Sequence, residues 1–230
     1  MSATERTGAW SGEALPHWPE NTVRNLLGTG LVTDPTRAAL HDRLERSTVA
    51  EPRFLSPEAF VTLRAVCERL IPQPERGDEG AVDIAGEIDC NLANGKGNGW
   101  RYASMPPDGE AYRAGLRGID EAAQAMFGGR FRGLDPARQD AVLGAMQAGA
   151  APGPTWVTMA AGRFFGELLV LATESYYAHP FAQEEIGYAG MADAAGWRAV
   201  GLDEREAHEP APLDRTADGP DPSTTGQATG

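Results

Sequence analysis

The residues able to do chemistry are few and widely spaced. His179 follows Tyr176-Tyr177, precedes Pro180 directly, and lies five positions after Glu174. An imidazole near a carboxylate can serve as a general acid–base pair. No nucleophile and no orienting carboxylate stand beside it in the chain, however, and His17, His41 and His208 are scattered. The preferred reading of His179 is a helix-end or interface residue, since a cation near a helix C-terminus is electrostatically favoured. Gly95-Lys96-Gly97-Asn98-Gly99 is glycine-rich and holds the only lysine. A phosphate loop needs lysine followed by Ser or Thr, after a strand and at the start of a helix. Here glycine follows and the preceding segment reads as helix, so a connector is expected. Asp83, Glu87 and Asp89 could be metal ligands, and Asp83 and Glu87 share a helix face. Without a neighbouring histidine or a second carboxylate pair, a solvated acidic face is the simpler expectation. Cys67 and Cys90 fit neither zinc spacing nor a redox dithiol motif, and buried thiols are preferred over a disulfide or metal ligation.

The elements that would position these groups are helices throughout. Asp34-Pro35 and Ser56-Pro57 each place a capping side chain ahead of proline in a first turn. The first opens a helix to about Ser47, with Leu40 and Leu44 on its apolar face. The second opens a run carrying Phe60, Leu63, Val66, Cys67, Leu70 and Ile71, stopped by Pro72. Ile84, Ile88 and Leu92 mark a helix over residues 82–92. Tyr112, Leu116, Ile119, Ala123 and Phe127 mark one over 108–127. Asp135-Pro136 opens another, with Val142, Leu143 and Met146. The most apolar helix is expected as one piece from Thr155 to Tyr177. Alternation of period two is absent, as are internal repeats.

Charge and composition narrow the functional classes. The 230 residues carry a formal net charge of −13, and every basic residue but Lys96 is arginine. This balance counts against nucleic acid, which needs a basic face to displace counterions, and against an anionic membrane surface. No apolar stretch approaches the roughly 20 residues of a membrane span. The first 30 residues show neither paired arginines nor the cationic start and apolar core of an export signal, and the expected location is the cytoplasm. Glycine and proline make up about a fifth of the chain, which favours short helices joined by many turns. The tail from Asp203 to Gly230 has seven acids, two arginines, four prolines and one large aliphatic residue, Leu213. It cannot bury enough apolar area to offset its ordering entropy. The expectation is an all-α protein: an N-terminal extension over residues 1–53 with short helices, a compact multi-helix domain over 54–202, and an irregular acidic tail over 203–230.

The ordered set of short motifs resembles the gluconate 2-dehydrogenase subunit 3 family. Phe54-Leu55-Ser56-Pro57-Glu58, Arg69-Leu70-Ile71-Pro72 and Ile88-Asp89 look like its opening. Tyr112-Arg113-Ala114-Gly115-Leu116, Ile119-Asp120 and Phe131 before Asp135-Pro136 continue it. Phe164-Phe165-Gly166-Glu167-Leu168, Glu174-Ser175-Tyr176-Tyr177-Ala178-His179-Pro180, Gly187-Tyr188-Ala189-Gly190 and Gly196-Trp197-Arg198-Ala199-Val200-Gly201 look like its close. The resemblance implies a small helical subunit without catalytic residues or a cofactor of its own. Its implied partner is a large FAD-containing oxidoreductase of the glucose-methanol-choline group, acting on a sugar, sugar acid, polyol or glycoside. Many members carry a twin-arginine signal, which residues 1–30 lack, and this counts against a periplasmic location and a cytochrome partner. Gly190-Met191 also departs from the family's usual second glycine and asparagine. The aromatic and basic residues outside the expected core form the candidate partner surface: Trp10, Trp18, Trp100, Arg101, Tyr102, Tyr176, Tyr177, His179, Pro180, Tyr188 and Trp197. The alternatives are a protein-interaction or scaffold module unrelated to redox chemistry, and a small enzyme using His179.

Overall fold

A computed structural model describes residues 22–46, 48–74, 81–97, 105–188, 199, 201–202, 204–207 and 209. Trp10, Trp18, Trp100, Arg101, Tyr102 and Trp197 lie outside the described residues, as does nearly all of the acidic tail. Among the described residues every regular element is helical: α1 (Thr22–Leu27), α2 (Asp34–Glu45), α3 (Pro57–Leu70), α4 (Ile84–Ala93), α5 (Asp108–Phe127), a 3₁₀ turn (Phe131–Gly133), α6 (Pro136–Gln147), α7 (Thr155–Thr158), α8 (Ala161–Tyr177) and α9 (Pro180–Glu185). No helix among them is long and apolar enough to cross a membrane. The chain divides into two compact units, Ala39–Ala182 and Met1–Ala38 with Gln183–Gly230.

In the larger unit the cap residues set the helix starts. Ser56 Oγ accepts from Ala59 N–H at 3.2 Å and Asp135 Oδ1 from Arg138 N–H at 3.0 Å, each just ahead of a first-turn proline. Helix α5 ends at Gly128, whose φ of 74° is the left-handed conformation that a residue without Cβ adopts freely. Helix α8 lies against α3, α4, α5 and α6. Its Phe164, Leu168 and Ala172 are fully buried in one core with Leu63, Val66, Ile88, Leu116, Ile119, Phe131, Val142 and Met146.

The expected single helix from Thr155 to Tyr177 is broken. Met159 is extended, at φ −131° and ψ 132°, and separates α7 from α8. Thr155, Val157 and Thr158 are β-branched and gain little from a helix. The short α7 turn is instead tied to α5: Thr155 N–H donates to Glu121 Oε2 at 3.0 Å, and Trp156 Nε1–H donates to Gly118 O at 3.0 Å.

The expected solvated acidic face of α4 is also corrected. Asp89 is 0% exposed and receives three main-chain donors from the segment between α2 and α3. Arg53 N–H reaches Oδ2 at 2.6 Å, Leu55 N–H reaches Oδ1 at 2.9 Å, and Phe54 N–H lies 3.2 Å from Oδ1. Asp83 caps α4 through Gly86 N–H and accepts Val49 N–H at 2.7 Å with its other oxygen, while Glu87 pairs with Arg46. Arg64 donates to Val49 O, and Arg113 lies 3.9 Å over the Phe54 ring. The segment from Thr48 to Leu55 is thus a strap, fixed along α4 by Asp83 and Asp89, while Glu87 holds Arg46 at the end of α2.

Both cysteines are free thiols. Burial pushes the Cys67 thiol well above its ordinary pKa, whereas Cys90 is half-buried with Arg53 Nη1 3.7 Å from its sulfur. Since only a thiolate attacks, iodoacetamide at pH 8 should label Cys90 alone in the native chain and both thiols in urea, as read by peptide mass spectrometry. Equal native labelling would contradict this packing.

In the smaller unit Val23, Leu26, Leu27 and Val32 are buried. Arg24 grips Glu184 through its main-chain N–H and Nε, each 3.0 Å from Oε1, and through Nη2, 2.9 Å from Oε2.

Candidate functional site

His179 is held by main-chain groups on both sides of its ring. Its Nδ1 accepts the Phe181 N–H at 3.3 Å, which leaves Nε2 as the protonated nitrogen, donating to Arg43 O at 3.0 Å. The imidazole also lies against the Phe181 ring, with centroids 4.8 Å apart. A main-chain group thus stands at each of the two ring nitrogens. The cation at the end of α8 is Arg43, whose Nη1 donates to Ala178 O at 2.9 Å. Its guanidinium thereby satisfies a carbonyl that α8 leaves open beyond its last turn. Nothing local in the chain announces this pair, which spans 135 positions.

These groups line a cleft of about 310 Å³ together with Arg46, Asp83, Glu87 and Lys96. Glu174 lines it too, exposed on α8. Its cations and carboxylates are mixed, and Arg46 is already paired with Asp42 and Glu87. Among the described residues no group of three His, Cys, Asp or Glu side chains could hold a metal ion. The Gly95-Lys96-Gly97 stretch follows the C-terminus of α4, with Gly95 at φ 63°. A turn leaving a helix lacks the strand-to-helix setting of a phosphate loop.

The remaining candidates divide by exposure. Tyr176 is 5% exposed and Pro180 is buried, so neither offers surface in this conformation. Tyr177 is 42% exposed and stands edge-on to Tyr176, with centroids 5.1 Å apart. Tyr188, in the smaller unit, is 43% exposed. Residue type alone missed the aliphatic part of the α8 surface, where Leu169 and Val170 are exposed. Val170 and Tyr177 are two turns apart and share a side of the helix, a signal that helical spacing carries.

A family model described as gluconate 2-dehydrogenase subunit 3 matches residues 57–202. No curated protein and no solved structure matches the chain. The matched span contains α3 to α9, and with them the α4 clamp, the α8 core and His179.

Proposed function

The chain belongs to the gluconate 2-dehydrogenase subunit 3 family, and from that membership we propose that it is the small, non-catalytic subunit of a flavin-dependent dehydrogenase complex. Its partner in this reading is a large FAD-containing oxidoreductase of the glucose-methanol-choline group, acting on a sugar, sugar acid, polyol or glycoside. The flavin and the catalytic groups belong to that partner, and this chain binds and stabilises it. The family match over 57–202 is the observation that carries the reading. Two features of the larger unit support it. His179 has both ring nitrogens engaged with main-chain groups, and α8 exposes Leu169, Val170 and Tyr177 beside its buried face. Exposed aromatic and aliphatic side chains grouped on one element are the usual material of an interface core.

The test is co-expression of the tagged chain with a candidate FAD-containing glucose-methanol-choline oxidoreductase, sought first among the neighbouring genes. A yellow complex showing FAD absorbance after affinity purification is expected. Val170→Glu places a charge at the centre of the exposed α8 face and should weaken the complex at least about tenfold while leaving the free chain's Tm unchanged. A complex indifferent to both Val170→Glu and Tyr177→Ala would move the interface off α8. Failure of any flavoprotein to co-purify, or substrate oxidation by the isolated chain that His179→Ala abolishes, would overturn the subunit reading itself.

A further inference from the structure

Ser175 lines the cleft that α8 forms with α4 and the strap. The residue is only 8% exposed, yet its hydroxyl makes no hydrogen bond among the described residues. Thr173, two positions earlier, bonds the carbonyl one turn back at 2.8 Å; Ser175 makes no such bond. Nor is its oxygen sealed from solvent as the Tyr112 hydroxyl is. Native proteins pair nearly all such groups, and an accessible exception calls for a water or a ligand.

The charged groups around it fall into two sets. The lining carries three cations and three carboxylates, so no net charge favours a lone anion or a lone cation. Four of these groups are committed. Arg43 donates to Ala178 O, Arg46 pairs with Glu87, and Asp83 accepts main-chain N–H groups with both oxygens. Lys96, past the end of α4, and Glu174, on α8, remain. Both are exposed, and neither has a partner among the described residues. They do not pair with each other, although both line the same cleft.

We propose that the cleft binds a small zwitterion, a free amino acid with a polar side chain. Its carboxylate pairs with Lys96 and its ammonium with Glu174, and its side-chain oxygen accepts the Ser175 O–H. A lone anion or cation would satisfy one member of the Lys96–Glu174 pair and leave the other facing it unpaired. The volume of about 310 Å³ is at the small end of the ~300–1,000 Å³ usual for ligand sites, which suits a single amino acid. All of the lining belongs to the larger unit, and the site does not depend on the subunit reading.

The experiment titrates the full chain, ¹⁵N-labelled, with L-glutamine, and separately with glutaramate, which lacks the ammonium, and γ-aminobutyramide, which lacks the carboxylate. Glutamine should shift the amide signals of Lys96, Glu174 and Ser175. Each relative should bind about two- to fivefold more weakly, the range of one exposed charge pair. Lys96→Gln should weaken glutamine by the same factor and leave γ-aminobutyramide unchanged, and Glu174→Gln should spare glutaramate in the same way. Ser175→Ala should weaken all three about three- to tenfold, the range of one neutral hydrogen bond. Glutamine that leaves these amides unmoved overturns the proposal, as do relatives that bind as tightly as glutamine. So does a Lys96→Gln chain in which γ-aminobutyramide loses as much affinity as glutamine.

Discussion

Asp89→Ala is expected to lower folding stability by about 3–5 kcal/mol, a large part of the ~5–15 kcal/mol that holds a typical domain together. Three main-chain N–H groups converge on this one fully buried carboxylate. Alanine would remove all three acceptors and leave the donors behind, each costing about 1–3 kcal/mol if water cannot reach it. Leu55 is 5% exposed and loses the most. Arg53 is exposed and can be rehydrated in part, which keeps the total below the simple sum. Asp89→Asn keeps one acceptor oxygen and turns an NH2 group toward a donor, so it should cost about half as much. Urea titration should show a lower midpoint with an unchanged slope, because the core that unfolds is the same. Hydrogen exchange should speed up at residues 53–55 before it does in α3. A stability within about 1 kcal/mol of wild type for Asp89→Ala would mean that the strap is held by Arg64, Arg113 and the Phe54 ring instead.

How far the chain disclosed this arrangement depended on whether the signal was local. The starts of α3 and α6 were legible because a cap residue followed by proline writes its own geometry within four positions. Helix α5 was legible over its whole length from the apolar period of Tyr112, Leu116, Ile119, Ala123 and Phe127. The Asp89 clamp was not legible, because its partners lie 34 to 36 positions away and a carboxylate on a helix is ordinarily solvated. The α7–α8 break was hidden for a related reason. Thr155 to Tyr177 has apolar residues enough for one helix, and what bends it at Met159 is attachment to Glu121 and Gly118 on another helix. At the candidate site, residue type could not separate Tyr176 from Tyr177. Position could: Tyr176 continues the buried row of Phe165, Leu168 and Ala172, and Tyr177 falls beside it on the exposed side. The Arg43–Ala178 bond had no local signature at all.

A second large effect is expected where α5 meets α8, and its sign depends on a glycine. Phe164 is fully buried against Tyr112 and Trp156, with ring centroids at 5.5 and 6.0 Å. Phe164→Ala should therefore cost about 3–5 kcal/mol through lost burial and an unfilled cavity. Gly115 sits in the middle of α5, where glycine ordinarily costs about 1 kcal/mol relative to alanine. A Cβ built there would come within 3.0 Å of three atoms of the Phe164 ring, so the glycine is there to admit the ring. Gly115→Ala alone should destabilise by about 1–3 kcal/mol, because overpacking outweighs the gain in helix propensity. In the Phe164→Ala background the obstacle is gone. The same Gly115→Ala change should then be neutral or stabilising by up to about 1 kcal/mol. The double-mutant cycle, measured by urea denaturation, should thus give a coupling of about 2–3 kcal/mol between the two sites. Additive effects would show that α5 and α8 can shift apart at little cost, and that the close approach at Gly115 does not determine how the two helices pack.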